Sequence, residues 1–177
     1  MTMSPFDFPN YPIALRPLTS QHLSDFMKWA KDDEVTKTLT WNSYTDPEAA
    51  FSFLKNVAEK HSWLKAIYLD ETVIGSISLE KKVLFGEEVV EVGYVIARDY
   101  WGLGYATVAL RLAISRCLEE LKISKIVAFV DPEHVVSQKV LEKNGFIFQG
   151  KLPKLREIKN ELKDRLYYSL IVSKQDE

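Results

Sequence analysis

The chain holds one cysteine, Cys117, so no intramolecular disulfide can staple it. Three histidines (His22, His61, His134) lie far apart in sequence, and with one thiol they cannot complete a zinc cluster, so no metal is expected. Neither sign of charge dominates. There are 23 basic and 25 acidic side chains, a net charge of −2 and no basic stripe, which argues against a nucleic-acid partner. No apolar run approaches the roughly 20 residues a membrane helix needs. The N-terminal stretch MTMSPFDFPNYPIALRP lacks the basic-then-apolar order of a secretory signal and the Arg/Ser bias of a transit peptide. The expectation is a protein without membrane partners, placed in the cytoplasm or the nucleus.

What is present suffices for one domain over 1–177, with 46% hydrophobic residues and no linker, repeat or low-complexity tract. Residues 1–11 are expected to drape over the surface. A short strand at 13–16 stops at Pro17, and Thr19 or Ser20 caps a helix to about 31, with Leu23, Phe26, Met27 and Ala30 on one face. A short polar helix over 32–39 and a loop through Trp41 and Tyr44 follow. Asp46-Pro47-Glu48 opens a helix whose inward residues are Ala50, Phe51, Phe53, Leu54, Val57 and Ala58. Strands over 63–69 and 72–79 join across Asp70-Glu71, and 125–130 reads as a buried strand. Asp131-Pro132-Glu133 reads as cap, first position and first-turn acid of a helix ending at Gly145. Strands over 146–152 and 165–172, with a charged loop over 153–164, close the chain. This order implies a mixed α/β arrangement, a sheet flanked by helices.

The centre of the chain is EVGYVIARDYWGLGYATVAL, residues 91–110. It reads as a strand, a tight glycine-containing turn and an apolar-periodic helix expected to bury Ala106, Ala109, Leu110, Ala113, Cys117 and Leu121. No Ser, Thr, Asp or Asn stands immediately before Gly102 to cap the helix from within. The donors of Gly102, Leu103, Gly104, Tyr105 and Ala106 are therefore left for water or an anion, and a pyrophosphate fits.

Two motifs in this order, WGLGYAT at 101–107 and DPEHVVSQKVLEKNGF at 131–146, resemble the GNAT superfamily of acetyl-CoA-dependent N-acetyltransferases. With IALRPL at 13–18 and KDRLYYSL at 163–170, they look closest to its RimJ/RimL branch, the ribosomal-protein N-terminal acetyltransferases. The resemblance covers about 13–172. It implies a central, mostly antiparallel sheet of about seven strands, splayed in the middle and flanked by helices. The strand ending near Ile96 would pair with pantetheine, and the turn Trp101, Gly102, Leu103, Gly104, Tyr105, Ala106 and Thr107 would hold the pyrophosphate. Acetyl-CoA is then the cosubstrate, with no metal.

Acetyl transfer needs a neutral amine and a destination for the thiolate's charge. Glu91 matches a position where several family members carry a catalytic glutamate. The equal alternative is an outward-facing strand carboxylate, or one holding a neighbouring lysine. Many members place a tyrosine on the second helix where this chain has Leu141, so the acid side shifts to Ser137, one turn earlier on the same face. Ser137 would bond the sulfur or pantetheine, or else bond back to a helix carbonyl. His134 stands where the family has asparagine and is expected to contact the cofactor without catalysing. Trp101, Gln or Arg in the broader family, is expected mainly to pack under the turn. The acceptor would lie between the Trp41–Tyr44 loop and the 154–164 loop, lined by Trp41, Tyr44 and Tyr94, with Asp164 orienting the amine or bonding the loop backbone.

Three functions remain open at this level. The first is acetylation of a protein or peptide α-amine. The second is the same chemistry on a small amine such as a polyamine, amino acid or antibiotic, and the third is an acetyl-CoA-binding module without catalysis. The chain is expected to be a monomer or homodimer.

Overall fold

The computed structural model describes residues 12–172, so the segment 1–11 expected at the surface lies outside the described residues. Seven strands form one sheet in the order β1-β2-β3-β4-β5-β7-β6. They are β1 (Ile13–Pro17), β2 (Leu64–Leu69), β3 (Thr72–Leu84), β4 (Glu87–Ile96), β5 (Lys125–Val130), β6 (Ile147–Ile158) and β7 (Glu161–Ile171). All neighbours are antiparallel except β4 and β5, which run parallel and share only two residue pairs, Val90↔Ile126 and Glu91↔Val127. Beyond Glu91 the two strands part. The sheet is therefore mixed, as the order of elements leads one to expect, and mostly antiparallel and splayed in the middle, as the family resemblance implies.

Each face of the sheet buries its own cluster. On one face, α4 (Tyr105–Arg116) and α5 (Val135–Lys143) pack Ala109, Leu110, Ala113, Val140 and Leu141 against Val90, Val92 and Ile96 of β4. On the other, α1 (Leu23–Ala30), α2 (Asp33–Thr36) and α3 (Pro47–Phe53) gather Phe26, Trp29, Val35, Ala50 and Leu54 over Ala66 and Val73. Alternation along β4 sends Val92, Tyr94 and Ile96 to the α4–α5 face and Glu91, Gly93 and Val95 to the α1–α3 face.

Sequence logic and structure agree closely over β5 and at Gly145, which closes α5 at φ 83°. Asp46 caps α3 by accepting from Glu48 N at 2.9 Å, with Pro47 in the first turn. Four expectations change. Phe51 and Val57, expected inside, are 46% and 49% exposed, because α3 and its continuation turn only Ala50, Leu54 and Ala58 fully inward. Helix α5 starts at Val135, not at the Asp131-Pro132-Glu133 signal. Asp131 does accept from Glu133 N (2.9 Å), but His134 N then bonds Asp131 O and completes a separate turn first. Trp101, expected under its turn, is 48% exposed, and its indole N–H donates to Ile96 O at 2.7 Å. Finally, the charged stretch 153–164 is not a loop. β6 and β7 run through it as one long hairpin turning at Lys159 and Asn160, both at positive φ.

Candidate active site

The splay opens a cavity of about 480 Å³ between β4 and β5. Its walls bring together six residues singled out from sequence: Trp41, Tyr44, Glu91, Tyr94, His134 and Ser137. Residues 92–96 of β4 pair with β3 on one side only, so their other backbone edge faces the gap. Ile96, at the end of that edge, leads into the turn with Trp101, Gly102, Leu103, Gly104, Tyr105, Ala106 and Thr107.

That turn is built on two left-handed glycines, Gly102 at φ 75° and Gly104 at φ 83°. Gly104 is the cap residue of α4 and brings no side-chain cap, while Val108 N closes the first helical bond to Gly104 O at 3.2 Å. A Cβ added at either glycine would meet nothing within 4 Å, so the outer side of the turn is open. A turn with first-turn amides, a helix dipole and room outside suits a phosphate group. Asn144 fixes the base of this half-site. Its Nδ2 donates to Thr107 O (3.2 Å) on α4 and Val140 O (2.9 Å) on α5, and its Oδ1 accepts from Arg111 Nε at 3.2 Å.

Tyr94 reaches across the gap to α5. Its hydroxyl lies 2.9 Å from Ser137 Oγ and donates to Ser137 O at 3.1 Å. Burial raises the Tyr94 phenol far above its usual value, only partly offset by the Ser137 bond, so it is a neutral donor at any physiological pH. Leu141, one turn further along α5, is fully buried against the core and carries no polar group to the cavity. His134 caps α5 at the cavity rim, and burial lowers its pKa, with Asp131 pulling it up and Arg165 pushing it further down. It is neutral at pH 7.

On the opposite face, Glu91 is held in a two-pronged ion pair. Arg156 Nη1 donates to Oε1 at 3.0 Å and Nη2 to Oε2 at 3.3 Å, while its guanidinium stands 5.3 Å from the centroid of the Phe129 ring. Each carboxylate oxygen keeps a lone pair for a further donor. Trp41 and Tyr44 tilt against each other at 5.7 Å and, with Phe26 and Phe53, make an aromatic wall facing this pair.

Asp164 is placed apart from this cluster. It accepts from Lys154 N (2.9 Å) and pairs with Lys151 (2.7 Å), tying the bulged β6 to β7. Sequence reasoning singled out neither Arg156 nor Arg165, both of which line the cavity. Arg156 was hidden because its partner lies 65 positions away. An arginine at 165 at the head of an apolar, aromatic run (LYYSL follows it, Lys163-Asp164 precedes it) was the available signal.

A family model described as an acetyltransferase (GNAT) domain matches residues 13–147. The uncharacterized N-acetyltransferase YnaD of Bacillus subtilis (strain 168) is 28% identical over 145 residues, spanning 81% of this chain and 84% of that protein. A GNAT-family acetyltransferase structure from Bacillus anthracis superposes with a TM-score of 0.80 at 25% identity, covering 90% of this chain and 95% of the other. The ribosomal L7/L12 α-N-protein acetyltransferase RimL, solved with coenzyme A, shares the fold at a TM-score of 0.78 and 16% identity, over 92% and 96% of the two chains.

Proposed function

The chain belongs to the GNAT acetyltransferase family, and on that premise we propose that it moves an acetyl group from acetyl-CoA to a primary amine, foremost the α-amine of a protein or peptide. The observation that carries this reading is the splay itself. An unpaired strand edge, a serine–tyrosine pair and a carboxylate border one gap, and the strand edge runs on in sequence into an open glycine turn.

When bound, acetyl-CoA supplies a thioester carbon open to attack by nitrogen. The amide edge of 92–96, ending at Ile96, pairs with the pantetheine amides, and the turn from Trp101 to Thr107 takes the pyrophosphate. His134 adds a neutral imidazole contact at the rim. On the acceptor side Trp41, Tyr44 and Tyr94 hold the amine's carrier. Most alkyl amines are protonated near neutrality, and Glu91 accepts the proton the ammonium must lose, directly or through water. As the new N–C bond forms and the C–S bond breaks, negative charge gathers on sulfur, and the second proton that the nitrogen sheds on becoming an amide ends there, giving the free thiol. Ser137 turns its hydroxyl proton toward that charge, and the Tyr94 hydroxyl, 2.9 Å away, backs it by swinging its one proton from Ser137 O to Ser137 Oγ. Asp164 holds the β6–β7 hairpin in the shape that delivers Arg156 to Glu91.

A small amine is the second reading. Lys159 Nζ donates to Thr36 O at 2.7 Å, fastening the hairpin tip to the end of α2 beside the cavity wall and limiting space for a bulky acceptor.

The test is release of free thiol from acetyl-CoA with a panel of peptides and amines. Thiol release with free peptide N-termini, absent when they are blocked, is expected. Glu91→Gln should lower the rate by about 10²-fold or more. An unchanged rate would refute the base assignment. Cofactor binding with no turnover on any amine would leave a binding module.

A further inference from the structure

The acceptor half of the cavity contains one cation whose counter-charge is incomplete. Arg165, on β7, is only 5% exposed and lines the cavity. Its Nη2 donates to Phe129 O at 3.3 Å, its Nη1 stands 3.5 Å from Asp131 Oδ2, and its buried Nε has no hydrogen-bond partner among the described residues. Asp131 is a divided partner, since its Oδ1 already accepts from Glu133 N.

The other carboxylates in the wall are committed elsewhere. Both oxygens of Glu91 are taken by Arg156, and Glu80 pairs with Lys82 at 2.8 Å. Burial and the neighbouring Arg156 disfavour the Arg165 charge, against the pull of Asp131 and, more weakly, of Glu91. A guanidinium stays protonated even so, and a buried one with an unmade bond calls for an explanation. Phe129 brings the two arginines together, its carbonyl accepting from Arg165 and its ring carrying the guanidinium of Arg156. The planar fork of an arginine suits a carboxylate better than any point charge would.

We propose that Arg165 is an anion-recognising residue of the acceptor pocket, and that the acceptor carries a carboxylate close to the amine it presents to Glu91. This rests on the acetyl-transfer reading above and narrows its substrate class. The carboxylate has two sources, the α-carboxylate of a free amino acid or the side chain of an acidic first residue in a peptide.

The experiment uses matched pairs on the full chain: amino acids against their amides, and Asp- or Glu-starting peptides against Asn- or Gln-starting ones. kcat/KM is measured with acetyl-CoA, and binding of the same pairs is measured calorimetrically. The acid is expected to win by about tenfold or more in one set of pairs, and which set identifies the source. In Arg165→Lys, which keeps the charge and loses the fork, the acid-over-amide ratio should fall at least fivefold through KM, beyond any loss the two members of a pair share. An Arg165 that merely ties β7 to β5 would weaken both members of a pair equally. Ratios at or below one in the natural protein, or a ratio unmoved by Arg165→Lys, would overturn the assignment. Acid preference in binding with no turnover anywhere would uphold Arg165 and reject the transfer reading instead.

Discussion

Two glycines allow the pyrophosphate assignment to be separated from mere backbone strain. Gly104, before α4, and Gly86, in the β3–β4 turn, have φ of 83° and 82°, and a Cβ at either meets nothing within 4 Å. Alanine at each position carries the same penalty for left-handed backbone, about 1–2 kcal/mol. Part of this is offset in stability by about 0.4–1 kcal/mol, because alanine also stiffens the unfolded chain. Both variants should therefore lose about 1 kcal/mol of stability, or roughly 2–4 °C in Tm for a chain of this size. Affinity behaves differently, since the unfolded state does not enter it. If the Gly104→Ala turn relaxes out of the left-handed region, binding must restore that geometry, which costs up to the full strain. The dissociation constant for acetyl-CoA should rise about 5- to 30-fold, and Gly104→Val should lose binding altogether. Gly86→Ala should bind as the natural protein does. Calorimetric titration and thermal melts of the three proteins decide the matter. Undiminished affinity in Gly104→Ala and Gly104→Val, or an equal loss in Gly86→Ala, would refute the reasoning.

Tyr94→Phe keeps the ring across the gap and removes the hydroxyl bound to Ser137, so kcat should fall about tenfold or more while KM for acetyl-CoA stays within twofold; an unchanged kcat would show that Ser137 needs no support from Tyr94. Asn144→Ala deletes two hydrogen bonds joining α4 to the end of α5 and a third back to Val140 O within α5, and should cost about 2 kcal/mol, read as a lower Tm. His134 has a depressed pKa in the folded protein, so as pH falls through the ordinary histidine value near 6.5 the unfolded chain takes up a proton the folded chain resists. The protein should thus lose stability from pH 7 toward pH 5, and His134→Asn should lose less over that range; parallel Tm curves would contradict this.

The parts legible in sequence were those whose causes are local. The turn at 101–107 announces itself through two glycines and a missing cap, and β5 through an uninterrupted apolar run. The β6–β7 hairpin was illegible because its alternation is broken. Lys154 adopts φ 49° and the pairing slips between Leu152 and Arg156, so the two-residue period changes phase inside the strand. That same slip is tied by Asp164 to the strand opposite. The start of α5 was misread because Asp131 makes a true capping bond, but to an isolated turn. Of the candidate site, Glu91 was visible as a residue and its partner was not, for nothing in sequence pairs it with Arg156. The aromatic wall was half visible, in Trp41 and Tyr44.

The parting of β4 from β5 creates two sheet edges in the interior of the molecule. Bare edges usually invite another chain to add a strand, and proteins blunt them with charge or short length. Here the edge is screened on both faces, by the Tyr94 contact with α5 and by the Arg156–Glu91 pair. A second polypeptide strand, with side chains alternating to both sides, collides with one screen or the other. A slender guest with its own amides and no side chains alternating to both faces does not. The fold thereby keeps a strand's worth of hydrogen-bonding capacity in reserve while denying it to aggregation.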